Sequence, residues 1–242
     1  MNAAKPRTLF SVFYCLSIWI CALFFGTPAA YAKTCEELIL DLPRRDTKIL
    51  PVIAQNSELS RLLAAGNTSA IDKMTIEKHT LNVFRLFKEQ FVTYDAKYKF
   101  KAPPGVRLYE TLQIMIALHD IGKPLAYEAG DKNRQHEFTI PILVREMKKF
   151  GFNDQEVALA KSILADDVIG DFAVGKIGAE KVRASLAKSA SDAGMMVEDY
   201  APLRYLFFTC DAASYDEVRS RVFTWDKDRL VPIRQLFERI GF

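Results

Sequence analysis

VRLYETLQIMIALHDIGKP, residues 106–124, is the stretch on which the reading of this 242-residue chain turns. Pro103-Pro104-Gly105 breaks the chain just before it, and the apolar spacing then predicts a helix over residues 106–119. Leu112, Met115 and Ile116 fall on one helical face and lead directly to His119. Gly122 and Pro124 interrupt the pattern, so residues 120–131 are expected to form a loop or a broken turn. An apolar helix thus runs straight into a His-Asp doublet. Ionisable groups on a core-facing stripe must be paired, hydrogen-bonded or metal-bound.

The same anomaly recurs on either side. A helix expected over residues 74–91 carries Ile76, Val83, Phe87 and Phe91 in a stripe, and His79 falls in line with it. A helix over residues 133–150, stopped by Gly151, places Ile140, Leu143 and Met147 with His136; Pro141 inside it predicts a kink or a late start. Asn153 with Glu156 resembles a capping box that starts a helix to about residue 166, where Leu159 and Ile163 share a face with Asp166. Leu203 and Phe207 share one with Asp211 in a helix over residues 202–215. Further helices are expected at residues 57–63, with Ser57 as cap, at 179–188 and at 227–240. No hairpin turn between alternating strands stands out. The expected fold class is all-α, one helical domain over residues 33–242.

Five ionisable residues on five helices therefore point inward. A lone His on an apolar face is ordinarily a hydrogen-bonded core residue, and a lone inward Asp a cap or ion-pair partner. The chain has three His in all, however, and each lies on such a face. Convergence on a cation would resolve all of these burials at once. Imidazole nitrogen with carboxylate oxygen suits zinc, iron, manganese and related divalent ions.

The formal net charge is +3, and two of the basic residues, Lys5 and Arg7, precede residue 33 with no acidic residue among them, which leaves a body at +1. A near-neutral body argues against long nucleic acid, which needs a concentrated basic surface. It leaves room for a small anionic substrate, since a metal can supply the local positive charge. Lys5 and Arg7, the apolar run LFSVFYCLSIWICALFFG and the small-residue pattern Ala30-Tyr31-Ala32 make residues 1–32 an expected signal peptide, or an uncleaved anchor if cleavage fails. Either way the body is expected outside the cytoplasm, periplasmic or secreted, and meets a membrane only if the segment stays attached. Of the four Cys, Cys35 and Cys210 remain beyond that segment; they could pair, or Cys210 could be a buried free thiol, which its apolar helix favours.

His79 in IEKHTLNVF, His119-Asp120 in ALHDIGKP and Asp211 in FFTCDAA follow the order H…HD…D. This resembles the HD-domain superfamily of metal-dependent phosphohydrolases, over residues 74–215. The resemblance implies an HD-type helical core in which His79, His119, Asp120 and Asp211 bind one divalent metal: manganese, iron, zinc, nickel, cobalt or magnesium. In two-metal members the Asp of the doublet bridges the ions and two further His follow. His136 matches the first of these positions, while Asp166, with Asp167 beside it, stands where such members commonly have His. A second ion, or contact with substrate and water through His136 and Asp166, are the alternatives this leaves. Lys123 corresponds to a lysine near the substrate phosphate in similar proteins; otherwise it is a solvated loop charge.

The implied chemistry is hydrolysis of a phosphate ester or pyrophosphate in a small phosphorylated molecule, a nucleotide first of all. The metal would polarise a phosphoryl oxygen and acidify water toward ~7. Asp120, as catalytic residue, or Asp166 would orient or deprotonate that water, and Lys123 would offset charge on the phosphoryl group. The chain has no Gly-Tyr-Pro tripeptide of the cyclic-dinucleotide phosphodiesterases and no nucleotidyltransferase region. Two other readings remain: a degenerate HD fold serving as a metal-containing binding module, motivated by Asp166, and an oxidative di-iron member, which resembles this chain less.

Overall fold

Apolar side chains on nearly every face force the helix Leu108–Leu118 into the centre: residues 111–118 are all buried, Thr111 and Gln113 included. The structure, a computed structural model, describes residues 49–66, 74–226, 229–232 and 236–241. In chain order its helices are α1 Ile49–Ile53, α2 Ser57–Ala64, α3 Ile76–Tyr98, α4 Leu108–Leu118, α5 Lys123–Glu128, α6 Gln135–Lys149, α7 Asp154–Ile163, α8 Val168–Ala173, α9 Ala179–Asp192, α10 Val197–Ala213, α11 Asp216–Val222 and α12 Leu236–Ile240. A 3-10 turn, Lys132–Arg134, precedes α6, and an antiparallel pair, β1 Phe223–Asp226 and β2 Arg229–Pro232, lies between α11 and α12. The protein is mostly helical, as expected. The signal or anchor and Cys35 lie outside the described residues, among which no helix is long and apolar enough to cross a membrane.

Helix α4 packs against α3, α6 and α7, while α10 runs along α3 and also meets α9. The α3–α4 contact is aromatic: Phe91 meets Tyr109 edge-on at 4.8 Å and Phe87 lies 5.3 Å from the same ring. Ile76, His79, Val83, Phe87, Gln90 and Tyr94 form the buried stripe of α3, so His79 enters the interior on the ordinary helical repeat. Cys210 on α10 is a fully buried free thiol, and burial pushes its pKa up.

Several expected boundaries move for identifiable reasons. Asn56 rather than Ser57 caps α2, its side chain accepting from the Glu58 and Leu59 amides. Helix α3 continues to Tyr98, where Lys99 takes a left-handed turn (φ 55°) and Asp95 accepts the amide of Phe100. The stretch expected as a loop after the doublet contains α5, because Pro124 falls in its first turn, where a missing N–H costs nothing. Pro141 sits within α6, which runs on through it. The helix expected over residues 227–240 is corrected to a hairpin and the short α12. The pairs Phe223↔Pro232, Thr224↔Val231, Trp225↔Leu230 and Asp226↔Arg229 set its register, and Phe, Thr, Trp, Leu and Val suit a strand.

The capping box at α7 is complete: Asn153 Oδ1 accepts from the Glu156 amide at 2.9 Å and Glu156 Oε2 accepts from the Asn153 amide at 2.8 Å. The fully buried Glu156 also receives the Arg107 backbone N–H at 2.9 Å and its guanidinium at 2.8 and 3.0 Å, which pins the start of α4 to the start of α7. Burial alone would raise the Glu156 pKa; the Arg107 donors outweigh it and hold the carboxyl below its ordinary value. Glu156→Ala is therefore expected to cost on the order of 3 kcal/mol at pH 7 in denaturant unfolding. A depressed folded-state pKa means that this stability is complete above the unfolded value of 4.5 and is lost as pH falls below it. The gap between wild type and variant should close on acidification, and a gap unchanged by pH would refute the role assigned to the pair.

Candidate metal centre

Three chain segments meet at one point. His79 comes from the first turn of α3, His119 and Asp120 from the turn that ends α4, and Asp211 from the last turn of α10. His79, His119 and Asp120 are 0, 4 and 3 % exposed, and they form a group that could hold a metal ion. His79 Nε2 lies 3.0 Å from His119 Nε2, 3.0 Å from Asp211 Oδ1 and 3.2 Å from Asp120 Oδ2. His119 Nε2 lies 3.5 Å from Asp120 Oδ2 and 3.4 Å from Asp211 Oδ1. Ligand atoms about 2.0–2.2 Å from a common ion stand about 2.9–3.5 Å apart at octahedral or tetrahedral angles. The five separations therefore have the size of edges around one cation.

Hydrogen bookkeeping sharpens this. His119 Nδ1 lies 2.7 Å from the Ile116 carbonyl, which can only accept, so Nδ1 carries the proton. His79 Nδ1 lies 3.0 Å from Ser214 Oγ, whose own hydrogen is given to the Asp211 carbonyl at 2.6 Å. The hydroxyl must then accept from Nδ1–H. In neutral imidazoles both Nε2 atoms are consequently bare, and they face each other and two carboxylate oxygens. Two imidazole nitrogens and two carboxylate oxygens packed so closely need positive charge, which Lys123 supplies at Asp120 Oδ2 and which a cation, or a proton on an imidazole, would supply at the centre.

The electrostatics express the same demand. Burial acts to lower the His79 pKa, but hydrogen bonds and charge from Asp120 and Asp211 overcome it and bring the group up to about 9. Burial would raise both carboxyls; the imidazoles, with Lys123 beside Asp120, hold them well below the usual range. Lys123 opens α5 and donates to Asp120 Oδ2 at 2.5 Å, which raises its own pKa. It is a largely buried partner of the doublet, 18 % exposed, and not a solvated loop charge.

A cavity of about 220 Å³ opens beside the group, lined among others by His119, Asp120, Lys123, His136, Asp166, Asp167, Phe207, Asp211 and Tyr215. His136 reaches it from the first turn of α6, with Nδ1 buried and unpartnered among the described residues and its pKa lowered by burial. Asp166 lies just beyond α7 and lines the same cavity, but Ser185 Oγ donates to its Oδ2 at 2.5 Å and Arg204 to its Oδ1 at 2.7 Å. Both of its oxygens thus have protein donors. Asp167, named in sequence only as a neighbour, caps α8; burial and the Asp211 charge push its carboxyl up to about 6.

Sequence reasoning missed Ser214, Tyr215 and Arg204. Tyr215 stacks on His79 with ring centroids 4.6 Å apart, and its OH is 3.4 Å from His79 Nε2. Arg204 is 4 % exposed and also donates to the Ser162 and Ile163 carbonyls at the end of α7. A charged residue among the apolar neighbours of α10, seven positions before Asp211, was the available signal for it. Ser214 and Tyr215 stand three and four positions after Asp211, inside the helix expected to residue 215, so the repeat that placed Asp211 was the available signal for them.

Gly122 of the doublet turn has a spatial role. A Cβ there would stand 2.5 Å from both the amide nitrogen and Oγ1 of Thr139 and 2.7 Å from the Gln135 carbonyl. Its N–H donates to Thr139 Oγ1 at 3.1 Å, pressing the turn onto α6 and so bringing His136 to the cavity. Comparison with family models, with curated proteins and with solved structures finds no match to this chain. Gly122→Ala is expected to destabilise the protein by about 1–3 kcal/mol in thermal unfolding, because backbone rather than a flexible side chain must give way. An unchanged midpoint would show that the turn has slack.

Proposed function

We propose that this chain is a metal-dependent phosphohydrolase of the HD-domain type, with His79, His119, Asp120 and Asp211 holding one divalent cation. The observation that carries the reading is the meeting, in the interior, of two imidazole Nε2 atoms that each lie 3.0–3.5 Å from one another and from an oxygen of Asp120 and of Asp211. The cavity at the edge of this group, with Lys123 and His136 in its wall, is the place for the substrate.

A divalent ion held there would supply Lewis acidity toward a phosphoryl oxygen and would acidify water. Lys123 brings a fixed positive charge to the cavity and offsets negative charge growing on the phosphoryl group. His136, its pKa lowered, presents a neutral imidazole that can donate or accept one hydrogen bond to the phosphate. Asp120 orients the attacking water. Phe207, which meets His119 edge-on at 5.8 Å, and Tyr215 limit water on the flanks. The substrate is a small phosphorylated molecule, a nucleotide foremost, met outside the cytoplasm if residues 1–32 direct export.

The engagement of Asp166 by Arg204 and Ser185 favours a second reading, a metal-containing binding module without turnover. One experiment separates the two. Metal is quantified on the purified body, wild type beside His119→Ala, and both are assayed on nucleotides, sugar phosphates and phosphodiesters. The hydrolase reading expects about one ion per wild-type chain, near none in the variant, and activity reduced at least about 100-fold. Bound metal with no turnover selects the module. Equal metal content in both proteins contradicts both readings.

A further inference from the structure

We propose that Ser214 is a positioning residue for the cation: its hydroxyl sets the tautomer and orientation of His79 so that Nε2 faces the ligand group. The inference rests on the metal reading above. Ser214 is 3 % exposed and has one hydroxyl hydrogen, which goes to the Asp211 carbonyl at 2.6 Å. The remaining lone pair faces His79 Nδ1 at 3.0 Å and can only receive that nitrogen's proton. A neutral His79 is thereby confined to the tautomer protonated at Nδ1, the form that leaves Nε2 free to coordinate.

The plainer account of such a serine is back-bonding to a carbonyl three residues earlier, common near helix ends. That account explains the bond to Asp211 but not the second bond to a ring 135 residues away in sequence. The next residue completes the arrangement: Tyr215 lies nearly parallel to the imidazole, at 25°, and opposes rotation of the ring. His119 has its counterpart in the Ile116 carbonyl, which no side-chain substitution can remove. His79 instead depends on one hydroxyl, and that hydroxyl also ties the α3 ligand to the backbone carbonyl of the α10 ligand.

Zinc(II) affinity, measured on the full chain by competition with a chromogenic chelator, tests this. Ser214→Ala is expected to weaken zinc binding about 10–100-fold. Ser214→Thr should restore it toward wild type, and Ser214→Val, of the same shape without the hydroxyl, should match Ala. If the Ala variant fails to fold, the Thr and Val pair decides. Imidazole nitrogen–proton correlation spectra of the zinc-loaded wild type should show His79 protonated at Nδ1 and zinc on Nε2. Coordination through Nδ1, or equal zinc affinity in the wild type and the Ala and Val variants, overturns the role of Ser214 and leaves the metal reading standing. A wild type that binds no zinc or other divalent ion overturns both.

Discussion

Like-natured acceptors do not gather in a protein interior unless positive charge holds them, and that constraint organises this molecule. Bringing His79 and His119 within 3.0–3.5 Å of each other and of both Asp120 and Asp211 requires α3, the end of α4 and the end of α10 to converge. Each segment arrives there by a different physical route. The stripe of α3 buries His79 on its helical repeat. The apolar α4 is driven to the centre whole and carries the doublet with it. Helix α10 lies along α3 and places Asp211 on the imidazoles from the other side of the chain's length. Since ligands on different segments stand at least 40 residues apart in sequence, a cation at their meeting point would couple its own binding to the tertiary fold.

The parts of this that could be read in the sequence are those where a polar residue breaks an apolar period. His79, His119 and Asp211 each stand one helical step from buried apolar neighbours, and the periodicity assigns them a face before any coordinates exist. The helical class follows from the same periodicity. What could not be read lies where periodicity stops. Asp167 caps α8 from a turn, and the sequence between Asp226 and Arg229 has no glycine to mark a tight turn. Asp166 shows the limit in another way. The repeat of α7 brings it to the right cavity, but its partners, Arg204 and Ser185, come from helices that only tertiary packing makes neighbours.

Arg204 also explains how the cavity wall can be acidic at all. Asp120, Asp166, Asp167 and Asp211 all line a space of about 220 Å³, and such a concentration of carboxylates would be self-repelling. Three compensations are visible. Lys123 sits on Asp120, the imidazoles sit on Asp120 and Asp211, and Arg204 sits on Asp166 while closing the carbonyl end of α7. Among the described residues Asp167 receives the Gly170 amide alone, and burial with the nearby Asp211 charge drives its pKa up to about 6. Arg204 is committed elsewhere, donating to three backbone carbonyls and to the Asp166 carboxylate.

That division bears on where a substrate's charge would be tolerated. On the side of Lys123 and His136 a phosphate meets a fixed cation and a neutral donor. On the side of Asp167 it would meet a carboxylate with a single amide partner, so an anionic group there is disfavoured and a hydrogen-bond donor is favoured. The cavity wall thus carries a fixed cation at the doublet turn and a carboxylate at the start of α8. Gly122 holds the first of these against α6 and Arg204 holds the second against α7, so the polarity is built by the same two contacts that position the walls.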